Sequence, residues 1–113
     1  MFIIGIDPHK GSHCAAVIDR DEHVVGELSL RADRRQCTRL LQFAAPFTPR
    51  LWAVEGATGT GMLVAQQLVA AGETVVDVPP ALSARVRLLD ASRKDKTDAH
   101  DARSAAIVAL LPK

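Results

Sequence analysis

The sequence has little cysteine, almost no net charge and no long apolar run, and each shortage removes a class of function. Its two cysteines, Cys14 and Cys37, stand 23 positions apart with no CxxC and no accompanying Cys/His cluster. That spacing argues against a zinc site or a redox pair and leaves both expected as buried, reduced thiols. The apolar opening FIIGI is broken by Asp7 within a few residues, too soon for a membrane span or a secretory signal, so the cytosol is the expected compartment. Fourteen basic residues against 13 acidic ones give a net charge of +1, so total charge does not announce a nucleic-acid partner. No internal repeat, low-complexity tract or linker divides the chain. Its 113 residues, 48% hydrophobic and 24% charged, predict a single domain over 1–113, large enough for a core and too short for two. The glycine-rich EGATGTG is neither GxGxxG nor GxxxxGK[ST], and no lysine starts the following helix. It therefore reads as a strand-to-helix turn before it reads as a phosphate loop.

What is present is an ordered series of short apolar segments. Residues 2–6, nearly all apolar, predict a central strand covered on both faces. Pro8 and Gly11 supply a turn, residues 13–18 a second strand, DRDE another turn and residues 24–30 a third strand. Three strands on short turns imply an antiparallel meander. Asp33 is the candidate N-cap of a helix over 34–43 that sends Leu40, Leu41 and Phe43 to the core, and Pro46 and Pro49 end it. Residues 51–54 predict a fourth strand. A helix follows over 59–71, with Met62, Leu63, Gln66 and Val69 at helical spacing and Gly72 as its stop. A fifth strand over 74–78 closes at Pro79-Pro80, and helices are expected over 81–89 and from Thr97 to about 111. The order is βββαβαβ followed by helices, the ribonuclease H-like (RuvC-like) arrangement of an α/β fold with a mixed five-stranded sheet, and not a dinucleotide fold.

Four acids fall at the ends of these elements: Asp7 closes FIIGID, Glu55 closes LWAVE, and Asp98 and Asp101 lie in TDAHDA. With strand four parallel to a central strand one, Asp7 and Glu55 emerge at the same sheet edge, where α/β sheets hold their ligands. Asp98 and Asp101, three apart on a helix, face the same way. Magnesium is a hard cation that prefers oxygen ligands, and two ions about 3.5–4 Å apart hold the attacking and leaving oxygens of a phosphodiester. Each acid alone has a plainer reading: a turn residue before Pro8, a surface acid, a favourable charge in a first helical turn, a solvated side chain.

Between positions 85 and 96 the basic residues Arg85, Arg87, Arg93, Lys94 and Lys96 outnumber Asp90 and Asp95. This local excess is a candidate nucleic-acid face, with a solvated helix and loop as the competing reading. His9 and His13 straddle Gly11 in a turn, so they do not form a helical HxxxH metal pair. His100, between the two helix acids, is either at the site edge or an exposed helix residue.

The blocks GIDPHKGSHCAAVID, LWAVEGATGTG, VVDVPPALSARVR and RKDKTDAHDARSAA resemble, in order and over nearly the whole chain, the N-terminal RuvC-like domain of DEDD transposases. This insertion-sequence family includes Piv-type DNA invertases and the bridge-RNA-guided recombinases. The resemblance implies that Asp7, Glu55, Asp98 and Asp101 coordinate magnesium, with manganese as a substitute, for DNA strand cleavage and exchange. It implies DNA as partner, a structured guide RNA in one branch, a homo-oligomer (dimer or higher) and no membrane. Family members also carry a C-terminal transposase domain with a serine nucleophile. Ser12, Ser29, Ser83, Ser92 and Ser104 match no such position, so that domain is expected outside this chain.

Three other functions compete. GIDP also resembles the opening of Holliday-junction resolvases, in which water attacks and the domain suffices alone. An actin-like or sugar-kinase module would need a second glycine-rich phosphate loop, which this sequence does not contain. A non-catalytic nucleic-acid-binding or oligomerisation module would bind without metal.

Overall fold

The computed structural model describes residues 1–79, 102, 103 and 105–107. Seven elements follow in the order β1 (Phe2–Pro8), β2 (Ser12–Ile18), β3 (Val24–Arg31), α1 (Gln36–Ala44), β4 (Arg50–Glu55), α2 (Met62–Ala70) and β5 (Val75–Val78). The strands form one mixed sheet in the order β3-β2-β1-β4-β5. β1–β2 and β2–β3 are antiparallel, as the short turns require, while β1–β4 and β4–β5 are parallel, joined through helices. This is the ribonuclease H-like, RuvC-like arrangement expected from the element order.

The sheet is covered on both sides, which is why β1 and β2 are apolar at nearly every position rather than at alternate ones. Ile4, Ile6, Val17, Trp52 and Val54 face α1 and α2, meeting Leu40, Ala44, Val64, Ala65 and Leu68. Ile3, Ile18, Ala53 and Val78 face the other way and meet Ala105, Ala106 and Ile107 of a helical segment that includes 102–103 and 105–107. β3, at the edge, alternates between partly buried and exposed positions. Gly5 lies beneath the second layer: a Cβ there would collide with the Ala102 carbonyl oxygen and stand 2.8 Å from the Ala106 nitrogen. Only a glycine lets helix backbone lie this close to the central strand.

At the end of β4 remote from Glu55, Arg50 Nε donates to Glu73 Oε1 (2.7 Å) and Arg50 Nη1 to the Ala44 carbonyl (3.3 Å). Trp52 Nε1 donates to the same Glu73 oxygen at 2.6 Å. The Glu73 carboxylate thus ties the end of α2 to β4, and Arg50 ties the end of α1 to the same strand. Hydrogen bonding to Arg50, and then to Trp52, holds the Glu73 carboxyl below its ordinary value against the opposing effect of burial.

Three expectations change in detail. α1 begins at Gln36, not 34, because Asp33 Oδ1 accepts the Arg35 N–H (2.9 Å) and its carbonyl the Gln36 N–H, closing a turn ahead of the helix. In α2, Met62, Leu63 and Val69 are exposed and the core face is Val64, Ala65 and Leu68. A helix that is apolar almost all round does not show by spacing which side it buries. Cys14 is buried as expected, but Cys37 is only partly so. Gly72 does end α2: the Glu73 N–H reaches the Leu68 carbonyl and the Gly72 N–H that of Val69, with Gly72 at φ 88°. The helix expected over 81–89 and the Thr97 cap lie outside the described residues.

Candidate functional site

Asp7 and Glu55 end two neighbouring parallel strands in matching register. The last paired positions are Ile6 and Val54, so the two acids occupy the next step of adjacent strands. By strand alternation they lie on the face of Gly5 and Ala53, the one covered by residues 102, 103 and 105–107. Asp7 is 7% exposed and Glu55 is partly buried. Carboxylates on adjacent strand ends repel one another where they converge, and a cation between them would relieve that repulsion. A pair of hard-oxygen donors at a sheet edge fits a divalent metal of the magnesium type. Asp98 and Asp101, which would complete a four-acid set, and the basic residues Arg85, Arg87, Arg93, Lys94 and Lys96 lie outside the described residues, as does His100.

Close packing fixes the edge. Gly61, at the start of α2, would as alanine bring its Cβ to 2.7 Å from Val54 Cγ1 and 3.0 Å from both the Glu55 carbonyl oxygen and Pro8 Cγ. The absence of a side chain there lets α2 abut the ends of both acid-bearing strands. The EGATGTG segment between them is a hydrogen-bonded turn in which the Gly56 carbonyl accepts the N–H groups of Gly59 and Gly61. Asp77 Oδ1, on β5, accepts the Ala57 N–H at 2.8 Å and anchors this turn from the neighbouring strand.

Two histidines acquire roles that residue spacing did not suggest. His9, in the turn just beyond β1, has its Nε2 3.0 Å from Asp7 Oδ2. His13, 4% exposed, bonds through Nε2 to Gln36 Oε1 at 2.7 Å, and Gln36 Nε2 donates to Gln67 Oε1, also at 2.7 Å. No local pattern marks this chain, because its members are 23 and 31 positions apart.

A second acidic group lies elsewhere. Asp19, Asp21 and His23 have possible ligand atoms within 4.8 Å of one another, but they sit in the β2–β3 turn, at the opposite end of the sheet from Asp7. Asp19 Oδ1 accepts the N–H groups of Asp21 (2.9 Å) and His23 (3.0 Å). The bond from His23 does most to hold the Asp19 carboxyl below its ordinary value. The cluster is accounted for as a turn.

Comparisons with known proteins agree with this architecture. The family profile of DEDD transposases of the IS110 type, described as a transposase, matches residues 4–113. The chain is 33% identical over 102 residues to an uncharacterized 44.8 kDa protein of insertion element IS116 from Streptomyces clavuligerus, covering 88% of this chain and 25% of that protein. The chain thus spans about a quarter of that relative's length. Among solved structures it is similar to Thermus thermophilus RuvC bound to a Holliday junction substrate, with a TM-score of 0.70 and 18% identity over 96% of this chain and 91% of that one. It is also similar to the fowlpox virus Holliday junction resolvase, with a TM-score of 0.58 and 12% identity over 97% and 96% of the two chains. At such identities these structures speak to the fold.

Proposed function

Because the chain belongs to the DEDD transposase family of the IS110 type, we propose that it is the metal-binding catalytic domain of a DNA recombinase, acting in strand cleavage and exchange during transposition. The observation that carries this reading is the side-by-side emergence of Asp7 and Glu55 from β1 and β4. In the proposed site Asp98 and Asp101 complete the ligand set and Arg85, Arg87, Arg93, Lys94 and Lys96 hold nucleic acid.

A divalent cation held there, magnesium or manganese, supplies charge neutralisation at a scissile phosphate and lowers the pKa of an attacking oxygen. The chain's own residues do the rest. Asp7 and Glu55 are set at a fixed separation by the β1–β4 register, and His9, bonded to Asp7 Oδ2, orients that carboxylate from outside the pair. Asp77 and Gly61 hold the turn that follows Glu55. The attacking serine expected of the family is assigned to no residue here, so the chain supplies the metal half of a composite site. A structured guide RNA, as in the bridge-RNA branch, and a dimer or higher assembly belong to the same proposal for the whole protein.

Magnesium or manganese is expected to raise the melting temperature of the 113-residue chain, and Asp7→Asn with Glu55→Gln to abolish the rise. A wild-type chain indifferent to both metals would sink the reading. Robust cutting of branched DNA by this chain alone with magnesium would instead favour a stand-alone resolvase. Nucleic-acid binding that needs neither metal nor the acids, with no cleavage under any condition, would favour a non-catalytic module.

A further inference from the structure

An open cleft of about 440 Å3 lies on the α1/α2 side of the sheet, lined by His9, Lys10 and His13, by Arg34 and Gln36, and by Thr60, Leu63, Val64 and Gln67 among others. Its size is within the range of small-molecule sites, about 300–1,000 Å3. It adjoins the acid-bearing edge through two connections. His9 both lines the cleft and bonds Asp7, and Thr60 belongs to the turn that follows Glu55.

The chemistry of the walls is mixed in a specific way. Leu63, an exposed residue of α2, gives an apolar side. Lys10 and Arg34, both exposed, give a cationic rim, and the one acid of the lining, Asp33, is engaged with Arg39 at 3.2 Å. The floor is polar and buried: His13 and Gln36 are 4% and 3% exposed. His13 Nδ1 is buried with no hydrogen-bond partner among the described residues. The relay from His13 through Gln36 ends on Gln67 Oε1. With that oxygen occupied, Gln67 has its NH2 to offer a ligand, a donor suited to a base carbonyl or ring nitrogen. An apolar wall, an amide donor held by a buried relay and two cations match a nucleobase with its phosphate. They do not match a free inorganic anion, which has no use for the apolar side.

We propose that this cleft binds one unpaired nucleotide of a nucleic-acid strand, with its base on Leu63 and Gln67 and its phosphate on Lys10 and Arg34. The inference rests on the nucleic-acid reading of the neighbouring edge and extends it: a strand whose scissile phosphate lies at Asp7 and Glu55 has an adjoining nucleotide held out of the stack beside it.

The test measures binding of the 113-residue chain, by fluorescence anisotropy at fixed salt, to a single-stranded oligothymidylate and to an abasic strand of equal length and charge. Both are made with deoxyribose and with ribose. The wild type is expected to prefer the base-bearing strand by about fivefold, the worth of one net hydrogen bond. Gln67→Leu is expected to erase that preference and keep the abasic affinity, and Lys10→Ala with Arg34→Ala to weaken both strands. A preference on either sugar supports the proposal, and a preference confined to one sugar identifies the strand as DNA or RNA. Equal wild-type affinity for base-bearing and abasic strands overturns it, as does an undiminished preference in a folded Gln67→Leu chain. The metal proposal fails separately: with Asp7→Asn and Glu55→Gln the base preference is expected to persist while the metal response is lost.

Discussion

Gly5 and Glu73 show how much a single position decides in this domain. At Gly5 the helical backbone at Ala102 and Ala106 rests directly on the central strand, so a methyl group has nowhere to go. Gly5→Ala is expected to cost about 3 kcal/mol, the scale of overpacking a rigid core, read as a lower midpoint in urea unfolding. Glu73 is a carboxylate with a folded pKa below its unfolded value, owing first to Arg50. Its contribution is therefore complete well above about pH 4.3 and is lost as the pH falls from there through the lowered folded value. Thermal melts across pH 3–6 are expected to show this loss in the wild type and a flatter profile in Glu73→Gln. The substitution also costs about 2–3 kcal/mol at neutral pH, as expected for a charged hydrogen-bonded partner removed from a largely buried pair.

Among the elements, α2 is the most instructive. Its sequence MLVAQQLVA is apolar on most sides, and Met62, Leu63, Gln66 and Val69 were as credible a stripe as the one that packs. Only the position of α2 over Trp52 and Val54 selects Val64, Ala65 and Leu68. Leu68→Ala is expected to cost about 2–5 kcal/mol, whereas Val69→Ser, on an exposed position, is expected to stay within about 0.5 kcal/mol. Denaturant midpoints of the two variants separate the faces. The strands were more legible, because a fully apolar run of four to seven residues between turn signals has few other readings. α1 was legible in length but not in start, since Asp33 caps a turn and not the helix.

At the scale of the whole molecule, the sheet order places loops distant in sequence at one edge. The β1–β2 turn, the β4–α2 turn and the start of α1 all border the acid pair or the cleft beside it. If the basic stretch from 85 to 96 grips nucleic acid as proposed, Lys94→Ala with Lys96→Ala is expected to weaken binding. It should also lower the slope of log affinity against log salt by about 1.4 for a single strand. An unchanged slope in a salt titration would move the binding face elsewhere, with Lys10 and Arg34 as the next cations to change.

The amino-acid sequence by itself determined the element order, the pairing of a meander with strand-helix alternation, and the placement of Asp7 and Glu55 at strand ends, because these follow from local apolar runs and turn residues. It also carried the family blocks. Tertiary structure alone decided which face α2 buries, that His9 reaches Asp7, that Asp77 anchors the turn after Glu55, and that His13, Gln36 and Gln67 form one chain of hydrogen bonds. Apart from the short-range contact of His9 with Asp7, these contacts join residues brought together by the crossover of parallel strands and the packing of two helices, and no local periodicity encodes a partner 20 or 31 positions away.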